Sequence, residues 1–112
     1  MDDAIDSDVL ETLKDVMEDE FDSVLSDYLG QCDQLWAEIR QQHDSREHDE
    51  LRRAAHTFKG SCMSVGAEPL RAHMAALEAA AAAQNDAEAA RIIADAESEL
   101  ARVVDAIQGW RA

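Results

Sequence analysis

Residues 21–39 read FDSVLSDYLGQCDQLWAEI, and their spacing points to the class of fold. Phe21, Val24, Leu25, Tyr28, Leu29, Cys32, Leu35, Trp36 and Ile39 fall at i, i+3, i+4, i+7, i+8, i+11, i+14, i+15 and i+18. That is the period of an α-helix with one unbroken apolar face over about five turns. Gly30 lies off this face and costs such a helix about 1 kcal/mol relative to Ala. The helix is expected over about residues 20–42, ending in the polar stretch Gln42-His43-Asp44-Ser45-Arg46. Over the first 27 residues, Asp2, Asp3, Asp6, Asp8, Glu11, Asp15, Glu18, Asp19, Glu20, Asp22 and Asp27 stand against only Lys14. Carboxylates of this kind complement helix N-termini. Ser7 followed by Asp8-x-x-Glu11 offers an N-cap and capping box. They would start a short helix over about 8–18, with Val9, Leu10, Leu13, Val16 and Met17 as its stripe.

Downstream the same period continues. Ser45 or Asp44 is placed to cap a helix over about 47–65, which Gly66 would close as a left-handed C′ residue. Pro69 fits the first turn of a helix over about 68–83, where its missing N–H costs nothing. That helix would pack through Leu70, Met74, Leu77 and Ala81, and it runs into the alanines 79–83. After the turn Gln84-Asn85-Asp86, a last helix over about 86–110 offers Ala90, Ile93, Glu97, Leu100, Val104 and Ile107, with Ile92, Val103 and Trp110 beside them. Glu97 interrupts that stripe. Trp36 and Trp110 read as core anchors or helix-end packing.

The 112 residues suffice for one domain, taken as 1–112, and not for two cores. Four Gly and one Pro cannot supply the turn every ~10 residues that an all-β fold needs. The expectation is therefore all-α: an antiparallel up-down-up-down four-helix bundle with a short extra N-terminal helix. Ten Lys and Arg against 25 Asp and Glu give a formal net charge of −15. Phosphate backbones and anionic lipid surfaces repel such a chain, which argues against nucleic acid and membrane as partners. The N-terminus lacks the basic and apolar regions of a signal peptide, and no apolar run approaches the ~20 residues that span a bilayer. Cys32 and Cys62 lack C-x-x-C spacing, so neither a zinc site nor a redox motif is indicated. A cytoplasmic protein with reduced, buried thiols follows. A di-iron bundle needs Glu-x-x-His, and none of His43, His48, His56 and His73 has a Glu three residues earlier. No metal is expected.

Function is legible in the third helix. With Leu51 on the core axis and ~100° per residue, Ala55, Phe58 and Cys62 stay within ~40° of it. His56 falls ~140° away, toward solvent. Its helical neighbours are Arg52 and Arg53 on one side, then Lys59, Gly60 and Met63 on the other. A reachable neutral imidazole is a good nucleophile toward phosphorus, and a phosphoryl group on it would be stabilised by nearby cations. A glycine one turn on removes a side chain that would bar a partner. Exposed Met63 and Val65 would supply apolar docking contacts. The plain alternative is a surface histidine beside ordinary surface charges.

Ala55-His56-Thr57-Phe58-Lys59-Gly60-Ser61, then Val65-Gly66-Ala67, Leu70 and Leu77-Glu78, resemble the signature of histidine-containing phosphotransfer (HPt) domains. That signature is approximately A-H-x-L-K-G-S-[SA]-x-x-x-G-A, a leucine, and L-E. The likeness is densest over residues 51–78 and extends in helix arrangement over nearly the whole chain. Phe58 stands for the usual leucine and Cys62 for the second serine, both compatible with burial. His73 and Met74 stand where Leu-Cys is frequent. The resemblance implies a stand-alone bacterial phosphorelay protein of two-component signal transduction, built as a four-helix bundle.

Carried over by position, His56 would be the phosphoacceptor, Lys59 would stabilise the phosphoryl group, and Gly60 would give clearance. Arg52, Arg53, Ser61 and Met63 would bind around them, Ser61 having an equally good claim as a helix-stabilising residue. The implied partners are the receiver domain of a hybrid histidine kinase and a response regulator. The chain would act as a monomer, without a cofactor of its own, the receiver supplying Mg²⁺. No G-x-x-x-x-G-K-[ST] loop is present, so a carrier is expected rather than a kinase. The competing reading is a non-catalytic helical module that sequesters a receiver or other partner.

Overall fold

In a computed structural model the described residues, 3–111, form helices α1 (Ser7–Met17), α2 (Phe21–Asp44), α3 (His48–Met63), α4 (Glu68–Ala82) and α5 (Asp86–Trp110). Met1 and Asp2, at the head of the acidic run, and Ala112 lie outside the described residues. Helices α2 to α5 each pack on the next in sequence, and α5 closes back onto α2. Short connections make the neighbours antiparallel, so the all-helical bundle read from the sequence is the fold. Its beginning differs from expectation. Helix α1 ends at its C-cap Glu18, whose φ of 51° breaks the helical path, and a single 3₁₀ turn, Glu18–Glu20, leads from there into α2 at Phe21. No loop sets the short N-terminal helix apart from α2.

Three turns join the bundle, and all use the same device. Arg46, Gly66 and Gln84 take left-handed φ values of 60°, 64° and 55°. The next amide reaches back five residues in each: Glu47 to Gln42 O at 3.0 Å, Ala67 to Cys62 O at 2.9 Å, and Asn85 to Ala80 O at 2.9 Å. These are Schellman closures, which satisfy carbonyls that a helix end leaves without partners. Only the middle turn requires glycine for a second reason. A Cβ on Gly66 would lie 2.4 Å from Asp6 Cβ, because the N-terminal segment crosses the turn there and Asp6 N–H donates to Val65 O at 3.2 Å.

The caps depart from the sequence reading in two places. Asp6, not Ser7, caps α1, its side chain accepting from the Asp8 amide at 2.9 Å. Neither Ser45 nor Asp44 caps α3: Asp44 is the last residue of α2, Ser45 is its C-cap, and Glu47 precedes α3 without a side-chain cap bond. Asn85 caps α5 through the Glu88 amide at 3.1 Å. The α2–α3 turn is also tied to the start of α5. Arg46 and His48 both hold the Asp86 carboxylate, at 2.8 and 2.9 Å, and the His48 bond leads in drawing that carboxyl below its ordinary pKa.

Leu51, Ala55, Phe58 and Cys62 of α3 are buried as the helical wheel requires, and Ala54 joins them. Phe21, Leu25, Cys32, Trp36 and Ile39 of α2 meet them, with Trp36 edge-on to Phe58. Both cysteines are free and buried, and burial pushes Cys32 up to about 11 and Cys62 up to about 12. Two expectations fail. Val16 is 68% exposed, because α1 lies outside the bundle and anchors through Leu10 alone, with Val9, Leu13 and Met17 half covered. In α5 the buried stripe is Ala89, Ile92, Ala96, Leu100, Val103 and Ile107. Ala90 is exposed and Ile93 and Val104 are half-buried, so the register sits one residue from that expected. The shift puts Ala96 inside and leaves Glu97 at the surface, where Arg40 approaches to 3.7 Å. Burying Glu97 unpaired would cost several kcal/mol.

The two surface conditions at glycine separate experimentally. Gly66→Ala should destabilise by more than 1 kcal/mol, since the left-handed turn and the Asp6 contact are both lost. Gly30→Ala, where a Cβ meets nothing within 4 Å, should stabilise by about 0.5–1 kcal/mol. Urea denaturation of the two variants, followed by circular dichroism, checks the opposite signs.

Candidate functional site

The core stripe of α3 decides what its other faces can do. With Leu51, Ala55, Phe58 and Cys62 turned inward, His56 is turned outward, its side chain 66% exposed. Helix α4 buries Leu70, Met74, Leu77 and Ala81, so Glu78, one position past Leu77, emerges at the seam with α3. Its carboxylate is shared. Oε2 lies 3.1 Å from His56 Nδ1, and Oε1 lies 2.9 Å from Lys59 Nζ. The Lys59 bond leads in holding the Glu78 carboxyl below the usual carboxylate range, partial burial opposes it, and the His56 bond adds to it. Because the folded carboxyl is the more acidic, this stabilisation is complete above about pH 4–5 and is lost as pH falls further.

The shared carboxylate also assigns the imidazole. An ionised carboxylate only accepts, so Nδ1 of neutral His56 is the N–H donor and Nε2 carries the free lone pair. In its neutral form the exposed ring thus presents a free Nε2, with its orientation held from a second helix. Such a nitrogen can act as a nucleophile or accept a proton.

The other residues singled out in the sequence divide. Arg52 is half-buried and lines a groove of about 330 Å³ with Lys59, Ala75, Glu78, Ala79 and Ala82. Arg53 is instead paired with Glu50 at 2.9 Å. Gly60 is exposed, and a Cβ there would meet nothing within 4 Å. Met63 is 65% exposed, two turns beyond His56. Val65 is not a docking residue: it is 1% exposed, since it lies in the turn after α3, beneath the N-terminal segment. Ser61 contributes its backbone carbonyl, which accepts from the Tyr28 hydroxyl at 2.8 Å and ties α2 to α3; its own hydroxyl makes no hydrogen bond. Burial raises the Tyr28 pKa, so that donor stays protonated.

Glu78 is the site residue that the sequence reading left without a role. The signal was an acid adjacent to a core leucine, and only the α3–α4 crossing says what it faces. Among the described residues no group of three or more His, Cys, Asp and Glu side chains could hold a metal ion, and no helix is long and apolar enough to cross a membrane.

Comparison with known proteins agrees with this geometry. The family model for the Hpt domain matches residues 23–110. The crystal structure of histidine-containing phosphotransfer protein B (HptB) from Pseudomonas aeruginosa PAO1 superposes with a TM-score of 0.90 at 28% sequence identity, covering 96% of this chain and 94% of that one. Among curated proteins no significant match is found.

The tautomer is open to measurement. Nitrogen-15 NMR of the imidazoles should find His56 mainly as Nδ1–H at neutral pH. Glu78→Gln, which keeps the shape but removes the charged acceptor, should move the population toward Nε2–H. Identical spectra for the two proteins would show that Glu78 does not set the ring.

Proposed function

The chain belongs to the Hpt domain family, and on that premise we propose that it carries a phosphoryl group on His56 Nε2 between receiver domains. Hpt proteins in general work with receiver domains and response regulators as phosphocarriers. The observation that carries the assignment to His56 is its exposed imidazole with Nδ1 held by a carboxylate from α4.

The first step joins Nε2 to the phosphorus of a receiver's aspartyl phosphate. The N–P bond forms as the bond to the aspartate oxygen breaks, and the receiver's carboxylate leaves. The receiver's bound Mg²⁺ would offset charge on the transferring group. The phosphorylated ring keeps its Nδ1 proton and so becomes cationic. Glu78 sits against that proton and stabilises the cation, and Lys59 keeps Glu78 ionised and in place. In the second step an aspartate of another receiver attacks the phosphorus, the N–P bond breaks, and Nε2 recovers its lone pair. Nothing in the cycle changes the proton on Nδ1. Exposed Gly60 leaves open space one turn from the ring, where a receiver's active-site loops would come close.

Incubation with a phosphorylated receiver should give an acid-labile, alkali-stable label on the wild type. His56→Gln should abolish it while the protein stays helical. Label persisting on that variant would overturn the assignment, and an unlabelled wild type across many receivers would favour a sequestering module. Gly60→Ala should raise helix stability by about 1 kcal/mol. Gly60→Leu should fold yet slow transfer at least tenfold, and normal transfer by Gly60→Leu would refute the clearance argument.

A further inference from the structure

In a chain with 25 acids and ten Lys and Arg, a cation without a carboxylate is unusual. Arg40, Arg46, Arg71 and Arg91 each sit within 3.7 Å of one. The cations beside His56 do not behave alike. Arg53 is taken by Glu50 and Lys59 by Glu78. The Arg52 side chain makes no ion pair or hydrogen bond among the described residues. Lys14 and Arg111 share that condition, but both line a hollow beside Glu18, Asp19 and Asp22, away from His56.

Arg52 is also well placed. It precedes His56 by one turn, so the two side chains rise from positions about 5–6 Å apart on one face. Helical side chains lean toward the N-terminus, which carries the His56 ring over the turn that holds Arg52. The groove beside it is walled on α4 by Ala75, Ala79 and Ala82, which leave space and offer no side-chain acceptor. Glu78 lines the same groove but is already shared between Nδ1 and Lys59. A phosphoryl group on Nε2 brings up to two negative charges and three acceptor oxygens to the side of the ring away from Glu78. Lys59 could meet them only by leaving the carboxylate that orients the ring. The guanidinium of Arg52 has nothing to leave, and its planar fork suits two phosphoryl oxygens at once.

We propose that Arg52 is the phosphoryl-binding residue of phospho-His56, while Lys59 stays with Glu78. The inference rests on the His56 reading and names the group that stabilises its product. The test is the equilibrium partition of phosphoryl between this chain and a receiver, measured from labelled protein. A residue that only helps docking changes how fast that equilibrium is reached and leaves its position alone. Arg52→Gln should shift the partition toward the receiver roughly tenfold, the scale of one charge-assisted hydrogen bond. Arg52→Lys should recover part of it, and the unfolding midpoint of the unphosphorylated protein should not move. Label on His56 with an unshifted Arg52→Gln partition overturns this inference alone. Absence of label on His56 of the folded wild type overturns the His56 reading and this inference with it.

Discussion

One carboxylate organises the site. Glu78 hydrogen-bonds the His56 imidazole through one oxygen and forms an ion pair with the Lys59 ammonium through the other, both on the facing helix, and each contact restricts the other. The ammonium keeps the carboxyl ionised, an ionised carboxyl can only accept, and a ring that must donate through Nδ1 presents Nε2 free. Orientation, tautomer and nucleophilicity at His56 therefore descend from a single contact across the α3–α4 seam. That contact requires the two helices to keep their register. The register comes from Phe58, Cys62, Met74 and Leu77, fully buried in the bundle core, and from the Gly66 turn that sets where α4 begins.

The α3–α4 turn couples the site to the rest of the fold in a second way. Asp6 caps α1 and bonds to Val65, so the start of α1 rests on the same turn. Gly66 serves both sides of this arrangement. Its left-handed φ closes α3, and its missing Cβ admits Asp6. The other two turns carry Arg46 and Gln84 in the same conformation with longer side chains, at the modest cost that non-glycine residues incur there. At Gly66 a Cβ would collide with Asp6, and that close approach is the second reason this turn needs glycine.

What could be read in advance follows from which forces are local. The class of fold rested on residues 21–39, since a 3.6-residue apolar period is set by one chain segment and needs no knowledge of its neighbours. The same reasoning turned His56 outward and Phe58 inward on α3. It placed α5 one residue off because Ile92 and Ile93, or Val103 and Val104, are equally apolar, and only the packed neighbours choose between them. It put Val16 in the core because periodicity cannot tell that α1 has one covered side. Glu78 escaped for the same reason: the pairing of an acid with a histidine 22 residues away is tertiary. Arg52 and Arg53, adjacent in sequence, differ through Glu50, an i,i+3 partner that helical spacing already offers Arg53, and through the groove beside Arg52, which only the packing of α4 creates.

The net charge of −15 opposes the proposed anionic cargo only as far as its charges reach. At physiological ionic strength charges more than about 8 Å apart are largely screened, so carboxylates beyond that distance weigh little on a group at His56. A phosphoryl group on His56, as proposed, would feel chiefly the nearest shell. Glu78, the carboxylate in contact with the ring, is matched by Lys59, and Arg53 is matched by Glu50. Arg52, one turn before His56, adds a positive side chain that pairs with no carboxylate among the described residues. An overall acidic chain can thus hold a locally favourable site for an anion. The acidity elsewhere discourages unselective polyanions without reaching the imidazole.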